Sequence, residues 1–224
     1  SAPLLSVNWL VYIYSVITSN IVEASLGYFI NPLISVVLGM MFLSERLRPM
    51  QWIAIFIALS GIAIQLIYYG AVPWIALTLA CSFGTYGLIR KNLGLPSTQG
   101  LALETLLILP FALLGLLWLY STGNMAFTSV NMQTNVLLIM GGVITSFPLL
   151  CFAAAVTRLS LISIGMFQYI APSLSLIVAV AMYDEPFGID RIITFSCIWV
   201  ALVIFTGETI YYHRMLARRI DVDI

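Results

Sequence analysis

The stretch FINPLISVVLGMMFLSER, residues 29–46, has a counterpart in YIAPSLSLIVAVAMYDEP, residues 169–186. In both stretches a proline precedes a glutamate by thirteen positions: Pro32 and Glu45 in the first, Pro172 and Glu185 in the second. Aligning residues 5–69 with residues 145–209, at a constant offset of 140, gives nine identities in 65 positions without a gap. An apolar composition supplies several of these by chance, so the matched landmarks carry the comparison. They indicate an internal repeat.

The composition places this repeat in a membrane. Of the 224 residues, 62% are hydrophobic and 8% are charged, with a mean hydropathy of +1.07, whereas a soluble domain carries about 25% charged residues. Continuous apolar runs of about 17 to 25 residues can cross a hydrocarbon layer as helices. A β-barrel would instead show alternation of apolar and polar residues. We therefore predict an all-α polytopic membrane protein.

The apolar runs predict eight transmembrane helices. They lie at about 4–20, 23–44, 50–69, 73–90, 100–120, 134–157, 161–183 and 191–212. If successive connections alternate sides, eight of the nine Lys and Arg residues fall on one side, and only Arg191 falls on the other. That side is cytoplasmic by the positive-inside rule. We therefore expect a cytoplasmic C-terminal tail, with Arg90 and Lys91 in a cytoplasmic connection.

The two copies of the repeat start five spans apart, an odd number, so they cross the membrane in opposite directions. Inverted-topology repeats of this kind are typical of secondary transporters. A unit of five spans would make ten, so we expect two further spans before residue 1. Residues 1–70 then hold the last three spans of the first unit, 71–213 the second five-helix unit, and 214–224 the cytoplasmic tail.

Several stretches resemble one transporter family. They are EASLGYFINPLISVVLGMMFLSERL, QWIAI, SFGTYGLIRK and LETLLILPFALL. The resemblance is to the RarD group of chloramphenicol-sensitive proteins, in the EamA branch of the drug/metabolite transporter superfamily. It runs from residue 4 to about residue 212. It implies a ten-helix permease of the bacterial inner membrane, made of two inverted halves, that moves small organic molecules.

Ionisable residues inside a bilayer are rare and usually functional. Glu104 is the only acid well inside a predicted span, so it is a candidate for proton or cation coupling; the alternative is a carboxylate that reaches the interface. Glu23, in an outer hairpin within the most family-like stretch, is a second candidate for coupling, for a gate or for fixing the hairpin. We expect Glu45 to cap or pair at a helix end, with Arg46 or Arg48 as partner.

A substrate cavity between the repeats needs polar and aromatic side chains on the inner helix faces. The residues that meet this description are Asn8, Trp9, Tyr12, Tyr28, Asn31, Gln168 and Tyr169. The alternative for each is a hydrogen bond between neighbouring helices. Pro32 and Pro172 are candidates for helix breaks in two gates, or else prolines tolerated in a helix.

Other classes of function have less support in the sequence. There is no Walker, HExxH or GxSxG motif, so we expect no enzyme, and the lone His and scattered Cys residues predict neither a metal nor a cofactor. We predict an exporter of small metabolites or drug-like aromatic compounds, working by alternating access with proton coupling. An importer of the same compounds and a membrane scaffold are the alternatives. The expected partners are a small-molecule substrate and the lipid bilayer, not nucleic acid; the oligomeric state is open.

Overall fold

The described residues are mostly helical. The structure, a computed structural model, describes residues 1–125, 127, 130–183 and 188–222, with their side chains except those of 178–183, 190–191 and 216–222. These residues form nine helices: α1 (Ala2–Ile17), α2 (Ile21–Phe42), α3 (Pro49–Tyr69), α4 (Trp74–Leu93), α5 (Ser97–Ser121), α6 (Met132–Val156), α7 (Leu161–Gln168), α8 (Ile170–Tyr183) and α9 (Ile189–Val222). The predicted all-α class is confirmed. Glu185 lies outside the described residues.

Among the residues that the structure describes, five segments are long and apolar enough to cross a membrane. They are Ile21–Phe42, Pro49–Tyr69, Ser97–Ser121, Met132–Val156 and Ile192–Met215. Ala2–Ile17 and Leu161–Ile177 are apolar but shorter. The chain is therefore an integral membrane protein, as predicted, and the number of eight spans stays a prediction.

The predicted span 161–183 is not one continuous helix. It is divided between α7, which ends at Gln168, and α8, which begins at Ile170. Proline has no backbone N–H, so Pro172 cannot donate to the carbonyl four residues earlier, at Gln168. The interruption lies where this hydrogen bond is missing, beside a proline that the sequence offered as a candidate helix break.

The main core surrounds α2, which packs against α4 on one side and α7 on the other, while α3 packs against α9. Glycines bring the backbones close. A Cβ on Gly165 would lie 2.8 Å from the Pro32 carbonyl oxygen, and one on Gly27 would lie 3.2 Å from the Ala76 carbonyl oxygen. Small residues allow this close packing in membrane helices. The crossing of α2 with α7 is therefore tight.

A smaller cluster joins α1, α4 and α6 through the buried side chains of Leu5, Tyr86 and Leu149. On α5 and α6, large apolar side chains such as Leu106 and Phe147 are mostly exposed. In a bilayer, apolar side chains on the outer surface suit contact with lipid tails. Leu5 and Leu149 of this cluster also line the cavity described below.

Candidate functional site

A cavity of about 260 Å³ lies between α1, α5 and α6. Leucines line much of it, together with Trp9 from α1, Thr105 from α5, and Thr145 and Ser146 from α6. Within the described part of the chain, Glu104 is the only charged residue in its wall. One carboxylate therefore faces a mainly apolar space edged by an indole ring.

Glu104 is buried, with 4% of its surface exposed, and belongs to a network with α4. The Tyr86 hydroxyl donates to its Oε2 at 3.2 Å. Its Oε1 lies 3.8 Å from Nη1 of Arg90, which is 1% exposed. Oε1 of Glu104 and Nε of Arg90 find no hydrogen-bond partner among the described residues. The carboxylate and the guanidinium thus form a buried ion pair that is not closed by a hydrogen bond.

The sequence indicated Glu104 but not its partners. Arg90 lies in the last turn of α4, and its side chain is buried and donates to the Ser97 carbonyl at 3.2 Å. Gly100 makes the room, since a Cβ there would lie 1.5 Å from Arg90 Nη1. The available signal was the spacing of Tyr86 and Arg90, four positions apart on one face of a helix. The burial of Glu104 argues against an interfacial carboxylate.

Glu23 lies at the opposite end of α4, near its first turn. It is 6% exposed, accepts from the backbone N–H of Ile75 at 2.7 Å and accepts from the Tyr69 hydroxyl at 3.1 Å. The first N–H groups of a helix lack partners within it, and a carboxylate there also meets the positive end of the helix dipole. Glu23 therefore ties α2 to the start of α4 and lies outside the wall of the cavity.

Asn31 and Gln168 meet where α2 crosses α7. Asn31 Nδ2 donates to Gln168 Oε1 at 2.5 Å, and Asn31 is 8% exposed. Asn31 Oδ1 and Gln168 Nε2 are buried and have no hydrogen-bond partner in the described part of the chain. The structure thus brings together two of the predicted cavity residues, each with one polar atom that has no hydrogen-bond partner among the described residues.

The other predicted cavity residues are dispersed. Asn8 donates to the Leu79 carbonyl and to Ser82 Oγ, both at 2.9 Å, and so binds α1 to α4. Tyr12 and Tyr28 are about half-exposed and their rings meet edge to face, with centroids 6.4 Å apart. Trp9 and Tyr12 on α1 and Tyr28 on α2 are therefore exposed aromatic groups.

The two candidate gate prolines have different surroundings. Pro32 lies inside α2, which runs through it without interruption. Pro172 lies in the first turn of α8, just after the interruption at Tyr169. The Tyr169 side chain is fully buried, and its hydroxyl has no partner among the described residues. The chain is therefore interrupted beside one of the two prolines.

Glu45 caps a helix distant in sequence. Its Oε1 and Oε2 accept from the backbone N–H groups of Leu161 at 2.7 Å and Ile162 at 2.9 Å. Ser160 accepts hydrogen bonds from the next two N–H groups of α7. Its Oγ accepts from Ser163, and its carbonyl oxygen accepts from residue 164. The N–H groups of residues 161–163, which have no partner within the helix, are therefore satisfied. The predicted cap is confirmed.

The expected partner of Glu45 was wrong. Arg48 instead donates twice to Glu208, at 2.8 and 2.9 Å, with its guanidinium 3.5 Å from the ring centre of Tyr212. The cation nearest to Glu45 is Lys91, whose Nζ lies 3.9 Å from Oε1. Arg48 therefore pairs with a residue of α9. Lys91 of α4 lies beside Glu45 instead.

The fold and the site define a polytopic helical membrane protein with a buried ionisable group beside a partly open cavity, an arrangement typical of transporters. Residues 2–67 match the EamA-like transporter family. Protein RarD of Escherichia coli is 46% identical over 218 residues, which cover 97% of this chain and 74% of that protein. The chain belongs to the EamA-like transporter family as a RarD-like permease, and it is a membrane transporter.

Two further relatives agree with this membership. An uncharacterized transporter of Vibrio cholerae is 49% identical over 208 residues, covering 93% of this chain and 69% of that protein. The chloramphenicol-sensitive protein RarD of Pseudomonas aeruginosa is 32% identical over 222 residues, covering 98% of this chain and 73% of that protein. The similarity extends well beyond the part that matches the family as a whole.

Proposed function

We propose that this permease exports small organic metabolites or drug-like aromatic compounds from bacteria by alternating access, in exchange for protons. The observation that carries the proposal is the cavity in which Glu104 is the charged wall residue within the described part of the chain. Apolar walls beside Trp9 suit an aromatic compound, and the carboxylate supplies a group that can take up and release a proton.

The geometry of Glu104 supports a proton-coupling role. Its Oε2 accepts from Tyr86, whereas Oε1 lies 3.8 Å from Arg90 and finds no hydrogen-bond partner among the described residues. A proton on Oε1 therefore displaces no existing hydrogen bond. Protonation neutralises one member of a buried ion pair and leaves the Arg90 charge uncompensated, which is costly in a low dielectric. Such an imbalance favours a change in conformation.

The positions of the helices support the inverted-repeat arrangement. The starts of α2 and α7, at residues 21 and 161, differ by 140, and so do the starts of α3 and α9, at residues 49 and 189. This is the offset of the sequence repeat. In the proposed mechanism the unit that contains residues 1–70 rocks against the unit that contains residues 71–213, and Pro32 and Pro172 act at the two gates.

The proposed orientation follows from the basic residues. The tail at 214–224 and the loops after α2, α4 and α6 lie in the cytoplasm, by the positive-inside rule. Glu23 of α2, which accepts from the N–H of Ile75 at the start of α4, then lies toward the outer side and stabilises the outer hairpin. In this orientation, export is movement of the substrate from the cytoplasmic side, where the C-terminal tail lies, to the outer side.

Flux measurements test the proposal. The full chain is reconstituted in proteoliposomes under an imposed pH gradient, and phenicols and aromatic metabolites are screened for substrate-dependent proton movement. We expect the Glu104→Gln variant to lose this movement. Glu208→Gln is the matched control, because Glu208 pairs with Arg48 away from the cavity. Proton movement that survives in Glu104→Gln would remove Glu104 from coupling, and absence of flux with every compound would overturn the substrate class.

A further inference from the structure

The buried amide pair at the crossing of α2 and α7 is incomplete. Asn31 and Gln168 share one hydrogen bond of 2.5 Å, while Asn31 Oδ1 and Gln168 Nε2 are buried without a partner in the described residues. A buried polar atom left unpaired costs about 1 to 3 kcal/mol, and native proteins keep few of them. Two such atoms in one pair indicate a place where a ligand completes the hydrogen bonding.

The chemistry of the missing group follows from the pair itself. One amide oxygen and one amide nitrogen are free, so the pair presents one acceptor and one donor. Exchanging the oxygen and nitrogen assignments of both side chains leaves the same result, one free acceptor and one free donor. The complementary group carries one donor and one acceptor side by side, as a carboxamide does. A carboxylate has no donor and an ammonium group has no acceptor.

The surroundings favour a ligand without charge. Residues 24–44, which include most of α2, contain no Asp, Glu, Lys or Arg, and neither do residues 161–177 across the crossing. A charge buried there would have no counter-charge close to the pair, because Glu23, the one charged residue of α2, lies eight positions from Asn31 and already accepts hydrogen bonds from Tyr69 and Ile75. Burial of an unpaired charge is strongly unfavourable. An uncharged polar group, by contrast, satisfies the free atoms at no electrostatic penalty.

Two aromatic rings near the amide pair offer contact area for a ligand, and the end of α7 gives the Gln168 side chain freedom to turn. Tyr28 lies three positions before Asn31 on α2, hence on the same side of the helix, and its ring contacts that of Tyr12. These two half-exposed rings can pack against an aromatic ligand. Gln168 is the last residue of α7, directly before the interruption at Tyr169, so its side chain can turn with little effect on α8.

We propose that Asn31 and Gln168 bind the uncharged carboxamide of an aromatic ligand, whose ring packs against Tyr12 and Tyr28. This inference rests on the proposed function, since it names the class of substrate that the permease carries. It adds a binding site for the carboxamide at the α2–α7 crossing, separate from the cavity of Trp9 and Glu104 between α1, α5 and α6.

Binding measurements test this assignment. Phenylpropanamide, phenylpropanoate and phenylpropylamine share one skeleton and differ in the charge of the head group. Their binding to the full chain in lipid nanodiscs is measured by equilibrium dialysis, without a pH gradient. We expect the amide to bind at least about tenfold more tightly than either charged compound, a factor that corresponds to about 1.4 kcal/mol. Equal or tighter binding of a charged compound would overturn the assignment.

Variants locate the site. Asn31→Leu and Gln168→Leu each remove one member of the pair, and we expect each to weaken amide binding about tenfold. Gln133→Leu, at an exposed position of α6, is the matched control and retains binding. Unchanged amide binding in both variants would overturn the proposal. If a variant does not fold, the ligand series on the unaltered protein still decides the matter.

The two proposals fail in different ways. No binding of any of the three compounds, together with proton-coupled flux of another substrate, would overturn the carboxamide site and leave the transporter proposal standing. Selective amide binding without proton-coupled flux would retain the site and overturn the coupling mechanism. Binding is measured at equilibrium and does not depend on Glu104.

Discussion

Replacing Glu45 with glutamine should destabilise the protein more than its position in a loop suggests. The carboxylate accepts one hydrogen bond on each oxygen, from Leu161 at 2.7 Å and from Ile162 at 2.9 Å. Glutamine has the same shape but only one acceptor, so its NH₂ group faces one of the two backbone N–H groups. Glu45→Gln therefore removes one hydrogen bond and the negative charge at the start of α7.

The magnitude follows from these two losses. A hydrogen bond to a charged group is worth about 1.5 to 3 kcal/mol. The charge at a helix N-terminus adds about 0.3 to 1 kcal/mol, and the Lys91 Nζ at 3.9 Å adds less because it is partly exposed. We expect Glu45→Gln to lower the free energy of unfolding by about 2 to 4 kcal/mol.

Unfolding in mixed micelles by increasing fractions of SDS, followed by tryptophan fluorescence, measures this change. Glu208→Gln is the matched control. It removes a carboxylate that also accepts two hydrogen bonds, but from the flexible side chain of Arg48, of which 32% is exposed; we expect a loss of about 1 kcal/mol or less. A loss in Glu45→Gln no greater than that in Glu208→Gln would refute the reasoning.

Two glycines give further predictions with the same unfolding assay. Gly165→Ala places a methyl group 2.8 Å from the Pro32 carbonyl oxygen, and because backbone cannot yield easily we expect a loss of about 1 to 3 kcal/mol; Gly115→Ala, with nothing within 4 Å, should gain up to about 1 kcal/mol. Gly100→Ala places a methyl group 1.5 Å from the Arg90 guanidinium. We expect it to abolish proton-coupled flux, as Glu104→Gln does, and unaltered flux would show that Arg90 need not lie there.

The sequence predicted the helices and offered Pro172 as a candidate helix break, but it did not place the interruption at Tyr169. Apolar runs separated by short polar connections define helix positions, because membrane helices must be long and apolar. Residues 161–177 are uncharged and mostly apolar, so hydropathy alone gives no sign of the turn at Tyr169. Pro172 was noticed, but a proline inside a run fits a kink, a break or neither.

The site was predicted in part for a similar reason. Glu104 could be found because an acid within an apolar run is unusual. Arg90 was missed because a basic residue at the end of a run is common in a cytoplasmic connection, and only folding brings it to 3.8 Å from Glu104. Asn31 and Gln168 were both named in advance, but their contact, across 137 positions, depends on how α2 crosses α7.

The junction between α6 and α7 holds charges that cannot be exchanged. Lys91 donates to the carbonyls of Val156 and Leu159 at the end of α6, while Glu45 accepts from N–H groups at the start of α7. An ordinary salt bridge often tolerates a swap of its two members. Here each charge also faces the end of a helix dipole of opposite sign. A swap would restore the ion pair but place a positive charge at the start of α7 and a negative charge at the end of α6, both unfavourable. We therefore expect natural variation to keep Glu45 and Lys91 in place, while the side chains of residues 157–159, between α6 and α7, change freely.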